Sequence, residues 1–329
     1  MGGGLDAAVA DVRRAVRVGL SDLSYGCRVL VACSGGADSL ALAAAAAFEG
    51  NKAGWLVGGV VVDHGMQVAS AQVAASAAAA LRGLGCSPVD VLAVQVPSGP
   101  SPEAAAREAR YAALNRVADR HEAVVLLGHT LNDQAETVLL GLARGSGVRS
   151  LAGMAWVSGR FRRPLLGLTR GCTERACRAL GLDYWDDPHN VDARFLRVRV
   201  RRTVLPLLEE QLGPGVAQAL ARTAKLARID ADALDSLAEE LFFSARRADG
   251  SLAVAALSAA LPALRRRVLR RAALAAGCPG GELFVVHIDA VDRLITDWHG
   301  QGSVDLPGCV RATRRHEALR FEAGLPTCG

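Results

Sequence analysis

The stretch Ser34-Gly35-Gly36-Ala37-Asp38-Ser39 (SGGADS) constrains this chain more than any other. It follows the apolar run Val29-Leu30-Val31-Ala32-Cys33 and leads into the helix-prone Leu40-Ala41-Leu42-Ala43. A strand, a glycine turn and a helix start therefore meet at one point. The first turn of a helix carries unpaired N–H groups and a partial positive charge, which suits it to phosphate. Gly35 and Gly36 have no side chain to keep a phosphate from the backbone. Ser34 and Ser39 add hydroxyl donors, and Asp38 adds a carboxylate suited to Mg2+. The loop holds no lysine, so it is not a GxxxxGK[ST] loop; the chain's lysines are Lys52 and Lys225. The alternative is a plain Ser/Gly turn between two core elements.

The rest of the first half supplies a sheet for that loop. Apolar runs Arg28–Cys33, Leu56–Val62, Val89–Val96 and Val124–Leu127 read as strands. Leu40–Gly50, Gln67–Leu84, Pro102–Arg120 and Gln134–Ala143 read as the helices between them, and Asp6–Arg17 as an amphipathic surface helix. Near-continuous apolar strands alternating with helices predict an α/β fold, a doubly wound parallel sheet covered on both faces. A weaker strand is expected near Met154–Val157. A long amphipathic helix is expected within 213–246. Beyond it, helices at Ala260–Ala276 and Leu283–Trp298 precede short strands at Gly302–Leu306, Cys309–Thr313 and Ala318–Phe321. The expected organisation is a catalytic domain over 1–212, a helical linker over 213–246 and a smaller α+β domain over 247–329.

Composition narrows the class. At 329 residues and 51% apolar, the chain is long enough for one large domain and a smaller one. No stretch approaches the ~20 apolar residues of a membrane span, and the N-terminus does not read as a signal peptide. The eight cysteines are dispersed without a CxxC, which points to a reduced, cytoplasmic protein with no zinc site. The net charge of +5 comes almost wholly from arginine and leans only weakly toward a phosphate-rich partner.

A second polar segment, Gly128–Thr137 (GHTLNDQAET), follows the fourth strand as SGGADS follows the first. With strand order 3-2-1-4-5, strands one and four are neighbours at the switch point where ligands bind. His129, Asp133 and Glu136 would then face the phosphate loop. Asp133 and Glu136 share one face of the opening helical turn, and Asn132 can cap it. Paired carboxylates there suit a metal or an ammonium group; a capped helix with solvated acids is the alternative. Asp63 and His64 add polar groups at the end of the second strand. Arg107 and Arg110 share a helix face with Glu103 nearby, and either could neutralise a phosphate. Arg194, Arg197, Arg199, Arg201 and Arg202 form a dense cluster suited to RNA backbone or nucleotide phosphate. Trp185 and Phe195 could stack on a base or belong to the core.

These segments resemble the N-type ATP pyrophosphatases and, within them, the tRNA(Ile)-lysidine synthases. SGGADS matches the family's SGGxDS loop. VVDHGMQ, EAAAREARY, GHTLNDQAETVLLGLARGSG and DPHNVDARFLRVRVRRTVLPLLE follow in the family's order, so the likeness covers roughly Val29 to Glu209. One position departs: Asn132 stands where many members have a second aspartate. The resemblance implies ATP and Mg2+ as cofactors, with Ser34 to Ser39 holding the phosphates and Asp38 the metal. It implies tRNA(Ile) with a CAU anticodon and L-lysine as substrates. A homodimer is one candidate assembly. Arg107 or Arg110 would meet the α-phosphate; His129, Asp133 and Glu136 would bind and orient the lysine amine. Arg194, Arg197, Arg199 and Arg201 would contact tRNA or phosphate. The rival readings are a tRNA thiolase, disfavoured by the lack of CxxC; a glutamine-dependent synthetase, disfavoured by the lack of an N-terminal cysteine; and a non-catalytic RNA-binding protein.

Overall fold

The computed structural model describes residues 5–63, 65, 70–94, 102–145, 147–187, 192 and 194–324. The chain divides into two compact units, Met1–Ala143 with Gly153–Ala224, and Arg144–Ala152 with Lys225–Gly329. In chain order the first elements are α1 (Ala7–Gly19), β1 (Arg28–Ala32), α2 (Ala37–Ala53), β2 (Leu56–Asp63), α3 (Ser70–Gly83) and β3 (Val89–Ala93). There follow α4 (Pro102–His121), β4 (Val124–Leu127), α5 (Leu131–Ala143) and, in the second unit, α6 (Val148–Leu151). The first unit continues through β5 (Val157–Ser158), β6 (Phe161–Arg162), α7 (Arg170–Ala179), α8 (Leu196–Arg199), a π-helical turn Val200–Val204 and α9 (Leu205–Leu212). The long helix α10 (Val216–Ala245) carries residues of both units.

The first unit is built on a six-stranded sheet of order β3-β2-β1-β4-β6-β5. All neighbours pair in parallel except β5, which runs antiparallel to β6. The sequence placed a fifth strand at Met154–Val157. The fifth parallel strand is instead Phe161–Arg162, and Val157–Ser158 folds back along it. Two-residue strands are too short to show a period of two, so nothing in the local pattern could fix them. Side chains alternate across the sheet. Val29 and Val31 of β1 join Leu42, Leu81 and Leu126 on one face, while Leu30 joins Leu114, Val117 and Val125 on the other. Each such fully buried leucine contributes about 1.5–3 kcal/mol relative to exposure. Helix α1 is amphipathic, as expected: Ala8, Val9, Val12 and Val16 are buried in the first of these clusters, and Arg17 reaches Glu49 of α2 through two hydrogen bonds of 2.8 and 3.0 Å.

The register positions the site. Ala32, at the end of β1, pairs with Leu127, at the end of β4, so the two following loops leave the sheet side by side. Helix α2 begins at Ala37, inside SGGADS and three residues earlier than the apolar pattern suggested.

The second unit includes β7 (Leu252–Ala253), α11 (Val254–Ala259), α12 (Pro262–Ala275), α13 (Val285–Thr296), β8 (Val304–Leu306), β9 (Val310–Arg315) and β10 (Ala318–Ala323). Its antiparallel sheet has the order β7-β10-β9-β8, and Leu257, Val268, Leu269, Val291, Leu294 and Leu319 fill its core. The expected helices and three strands are present; β7 and α11 were not anticipated. Arg265 lies buried against Asp292, donating from Nε at 2.6 Å and Nη2 at 3.3 Å. No helix among the described residues is long and apolar enough to cross a membrane.

Candidate active site

The loop after β1 turns on Gly35, whose φ of +83° is the left-handed conformation that a side chain disfavours. The Gly35 carbonyl accepts from the Trp185 N–H at 3.0 Å, which ties the extended segment before residue 187 to the loop. Ser39 is buried; its hydroxyl donates to the Gly36 carbonyl at 2.9 Å and accepts from the Ser34 N–H at 3.2 Å. No side chain caps the start of α2 at Gly36. The loop is thus braced by its own hydroxyl. Gly128 lies directly against it: a Cβ there would come within 3.1–3.2 Å of the Asp38 backbone. The two polar segments form one wall of a cleft of about 600 Å³.

Across that wall runs an alternating chain of charges. Arg170, in the first turn of α7, donates from Nε to Asp38 at 3.3 Å and from Nη2 to Asp133 at 3.0 Å. The Thr173 hydroxyl binds the other oxygen of Asp38. Arg201 donates from Nε and Nη2 to Glu136 at 2.6 and 3.1 Å, and from Nη2 to Asp133 at 3.3 Å. The second Asp133 oxygen accepts the Thr130 N–H and hydroxyl, both at 2.8 Å. Burial pushes the Asp38 carboxyl above its ordinary range, against the pull of Arg170 and Thr173. Asp133 goes the other way. Burial raises it, but Arg170, the Thr130 donors and His129 outweigh that and hold it below the usual carboxylate range.

Arg107, Arg110 and Arg197 also line the cleft. Arg107, of α4, and Arg163 donate to the Tyr111 hydroxyl at 3.4 and 3.2 Å. Burial pulls the Arg110 guanidinium below its usual range, and its enclosed Nε has no hydrogen-bond partner. His129 is pushed down to about 3 by burial, reinforced by Arg110, Arg163 and Arg107 and opposed by Asp133. Its Nδ1 is likewise enclosed and unpartnered. At neutral pH this ring is uncharged.

A profile of the PP-loop domain matches residues 12–208, and one of the TilS substrate binding domain matches residues 252–320. The tRNA(Ile)-lysidine synthase of Streptomyces coelicolor is 57% identical over 90% of this chain and 85% of its own. That of Thermobifida fusca is 55% identical over 94% and 95% respectively. The chain belongs to the tRNA(Ile)-lysidine synthase family. A U34-tRNA thiolase from Methanococcus maripaludis, solved with its [4Fe-4S] cluster, shares the fold: its TM-score is 0.56 at 19% identity, over 67% of this chain and 80% of that one.

For a tRNA(Ile)-lysidine synthase, the sequence candidates fall into two groups. Ser34, Gly36, Ala37, Asp38, Ser39, Arg107, Arg110, His129, Asp133, Arg197 and Arg201 line the cleft. Glu136 stands behind Asp133 with 0% exposure and is bound by Arg201. Arg194 is outside the cleft's lining; it is exposed and pairs with Asp192 at 2.7 Å. Trp185 and Phe195 line the cleft rather than the core. The Asn132 Oδ1 accepts the Arg170 N–H at 2.9 Å, which anchors the start of α7. Asp63 accepts from the Gly65 N–H at 2.9 Å; His64 and the Glu103 side chain lie outside the described residues. Sequence reasoning missed Arg170 and Thr173. The only signal was the arginine that follows Leu168-Thr169, and it sits in a stretch with no phosphate or acid motif of its own.

Proposed function

We propose that this chain joins L-lysine to C2 of the cytidine at the first anticodon position of tRNA(Ile) bearing CAU, using ATP. The C2 carbonyl oxygen attacks the α-phosphorus of ATP and pyrophosphate leaves. The lysine ε-amine then attacks C2 of the adenylated base, and AMP departs with that oxygen. Adenylation is needed because a carbonyl oxygen is a poor leaving group and AMP a good one. The amine must lose its proton before it can attack.

The observation that carries this reading is Arg170 bridging Asp38 of the phosphate loop and Asp133 of the second segment, which puts both in one cleft. The uncapped start of α2 suits the β- and γ-phosphates. Asp38, with phosphate oxygens as its co-ligands, fits Mg2+, which commonly takes one or two carboxylates beside a nucleotide; bound there, the ion would stabilise charge developing on pyrophosphate. Arg107 and Arg110 would neutralise the α-phosphate. Arg110 is favoured by its enclosed, unpartnered Nε. Asp133 and Glu136 would orient the lysine ammonium, with neutral His129 beside them. The basic run through Arg194, Arg197 and Arg199 would meet the tRNA backbone, together with the domain over 247–329; residues 1–212 would form the catalytic domain and 213–246 the helical linker. The target base lies in a single-stranded loop, so it needs splaying rather than duplex melting.

The test is AMP production from ATP with a CAU tRNA(Ile) transcript. AMP and a lysine-bearing cytidine should appear only when lysine and this tRNA are both present, and methionine tRNA should not replace it. Turnover that instead requires a sulfur donor would make the chain a thiolase. ADP as product would refute pyrophosphate release.

A further inference from the structure

We propose that Arg170 is a positioning residue that couples the two substrates: nucleotide phosphate draws its guanidinium from Asp133, and only then can Asp133 take the lysine ammonium. This rests on the lysine-ligating reading above.

Asp133 offers about four acceptor positions on its two oxygens. All four are taken by protein donors: the Thr130 N–H and hydroxyl on one oxygen, Arg170 and Arg201 on the other. Glu136, its partner in the proposed ammonium site, has both oxygens on Arg201. A lysine ammonium entering beside Asp133 must therefore displace a donor. Thr130 is fully buried, and one of its two donors is a backbone N–H. Arg201 touches Asp133 at 3.3 Å, but Glu136 also holds its guanidinium through two bonds of 2.6 and 3.1 Å. Arg170 is held more loosely, at 3.0 and 3.3 Å, and one of its two anchors is Asp38 within the phosphate loop. It is the guanidinium next to where triphosphate oxygens would lie, and guanidinium binds phosphate through paired, charge-assisted hydrogen bonds. Charge bookkeeping agrees. Asp38, Asp133 and Glu136 carry three negative charges against two from Arg170 and Arg201. Moving Arg170 onto the nucleotide leaves Asp133 short of a cation, and lysine supplies one. The consequence is ordered binding, with lysine favoured only after ATP.

The test measures lysine affinity by calorimetry, with and without saturating α,β-methylene-ATP, which cannot be cleaved at the bond in question. In the wild-type protein the analogue should tighten lysine binding at least about tenfold, within the usual range of site-to-site coupling, and lysine should tighten the analogue equally. In Arg170→Met the coupling should fall below about twofold, because lysine binds without the analogue nearly as well as with it. Arg170→Lys keeps a cation at the start of α7 but cannot span two carboxylates; its coupling should be reduced at least about threefold, and it carries the comparison if the methionine variant does not fold. Equal lysine affinity with and without the analogue in wild type, or full coupling in either variant, overturns the proposal. Analogue binding with no lysine binding in any condition overturns the lysine-ligating reading itself.

Discussion

At the scale of single residues, the cleft separates charge that must be kept from charge that must be suppressed. Asp38 is the acid nearest the phosphate loop's helix start, and its two oxygens are fixed by Arg170 and Thr173. Asp38→Ala should lower pyrophosphate release at least about a hundredfold and leave tRNA binding by filter assay nearly unchanged. Full activity would reject the loop assignment. His129 shows the opposite treatment. Its pKa falls from the ordinary 6.5 to about 3. Between those values the unfolded chain takes up a proton that the folded one refuses, so stability rises with pH there and is lost as pH drops below 6.5. From pH 6.5 to 5 the wild type should lose about 1.5 kcal/mol more than His129→Gln, read from urea unfolding. Equal losses would mean that the ring is protonated in place.

At the scale of elements, α7 is the part of the site that the sequence hid. The phosphate loop, the helix after β4 and their shared switch point were readable because each is a local pattern: an apolar strand, then glycine or an acid at a helix start. Arg170 and Thr173 carry no such pattern. They matter through contacts with Asp38, more than 130 positions earlier in the chain, and no local period encodes that distance. The same holds for Arg201, which reads as one of a run of basic residues yet turns inward to Glu136. Of the two-residue strands, β5 meets the expected strand only at Val157, and β6 was not anticipated. The Asn132 departure, by contrast, has a structural explanation, since the Arg170 N–H needs only an acceptor oxygen. Asn132→Asp preserves that oxygen and should retain activity within about threefold, whereas Asn132→Ala leaves the N–H without its partner and should cost about 1 kcal/mol in thermal or urea unfolding. A strong loss of activity in the aspartate variant, with stability unchanged, would assign Asn132 a role beyond anchoring α7.

At the scale of the whole molecule, charge is sorted by position. Arg170 and Arg201 of the first unit turn inward and neutralise acids, while Arg199 is exposed and Arg197 lines the cleft. If Arg197 and Arg199 meet tRNA phosphates, replacing both with alanine should weaken binding and reduce the slope of log affinity against log salt by about 1.5, near the single-stranded value of 0.7 per contact. An unchanged slope would make them ordinary solvated arginines. The order in which the cleft's parts occur along the chain has a further consequence. Ser34 to Ser39 leave the ribosome long before Arg170, Thr173 and Arg201, so a nascent polypeptide presents the acids of its nucleotide pocket well ahead of the guanidiniums that neutralise them. Asp38 thus waits for more than 130 further residues before its Arg170 partner is synthesised.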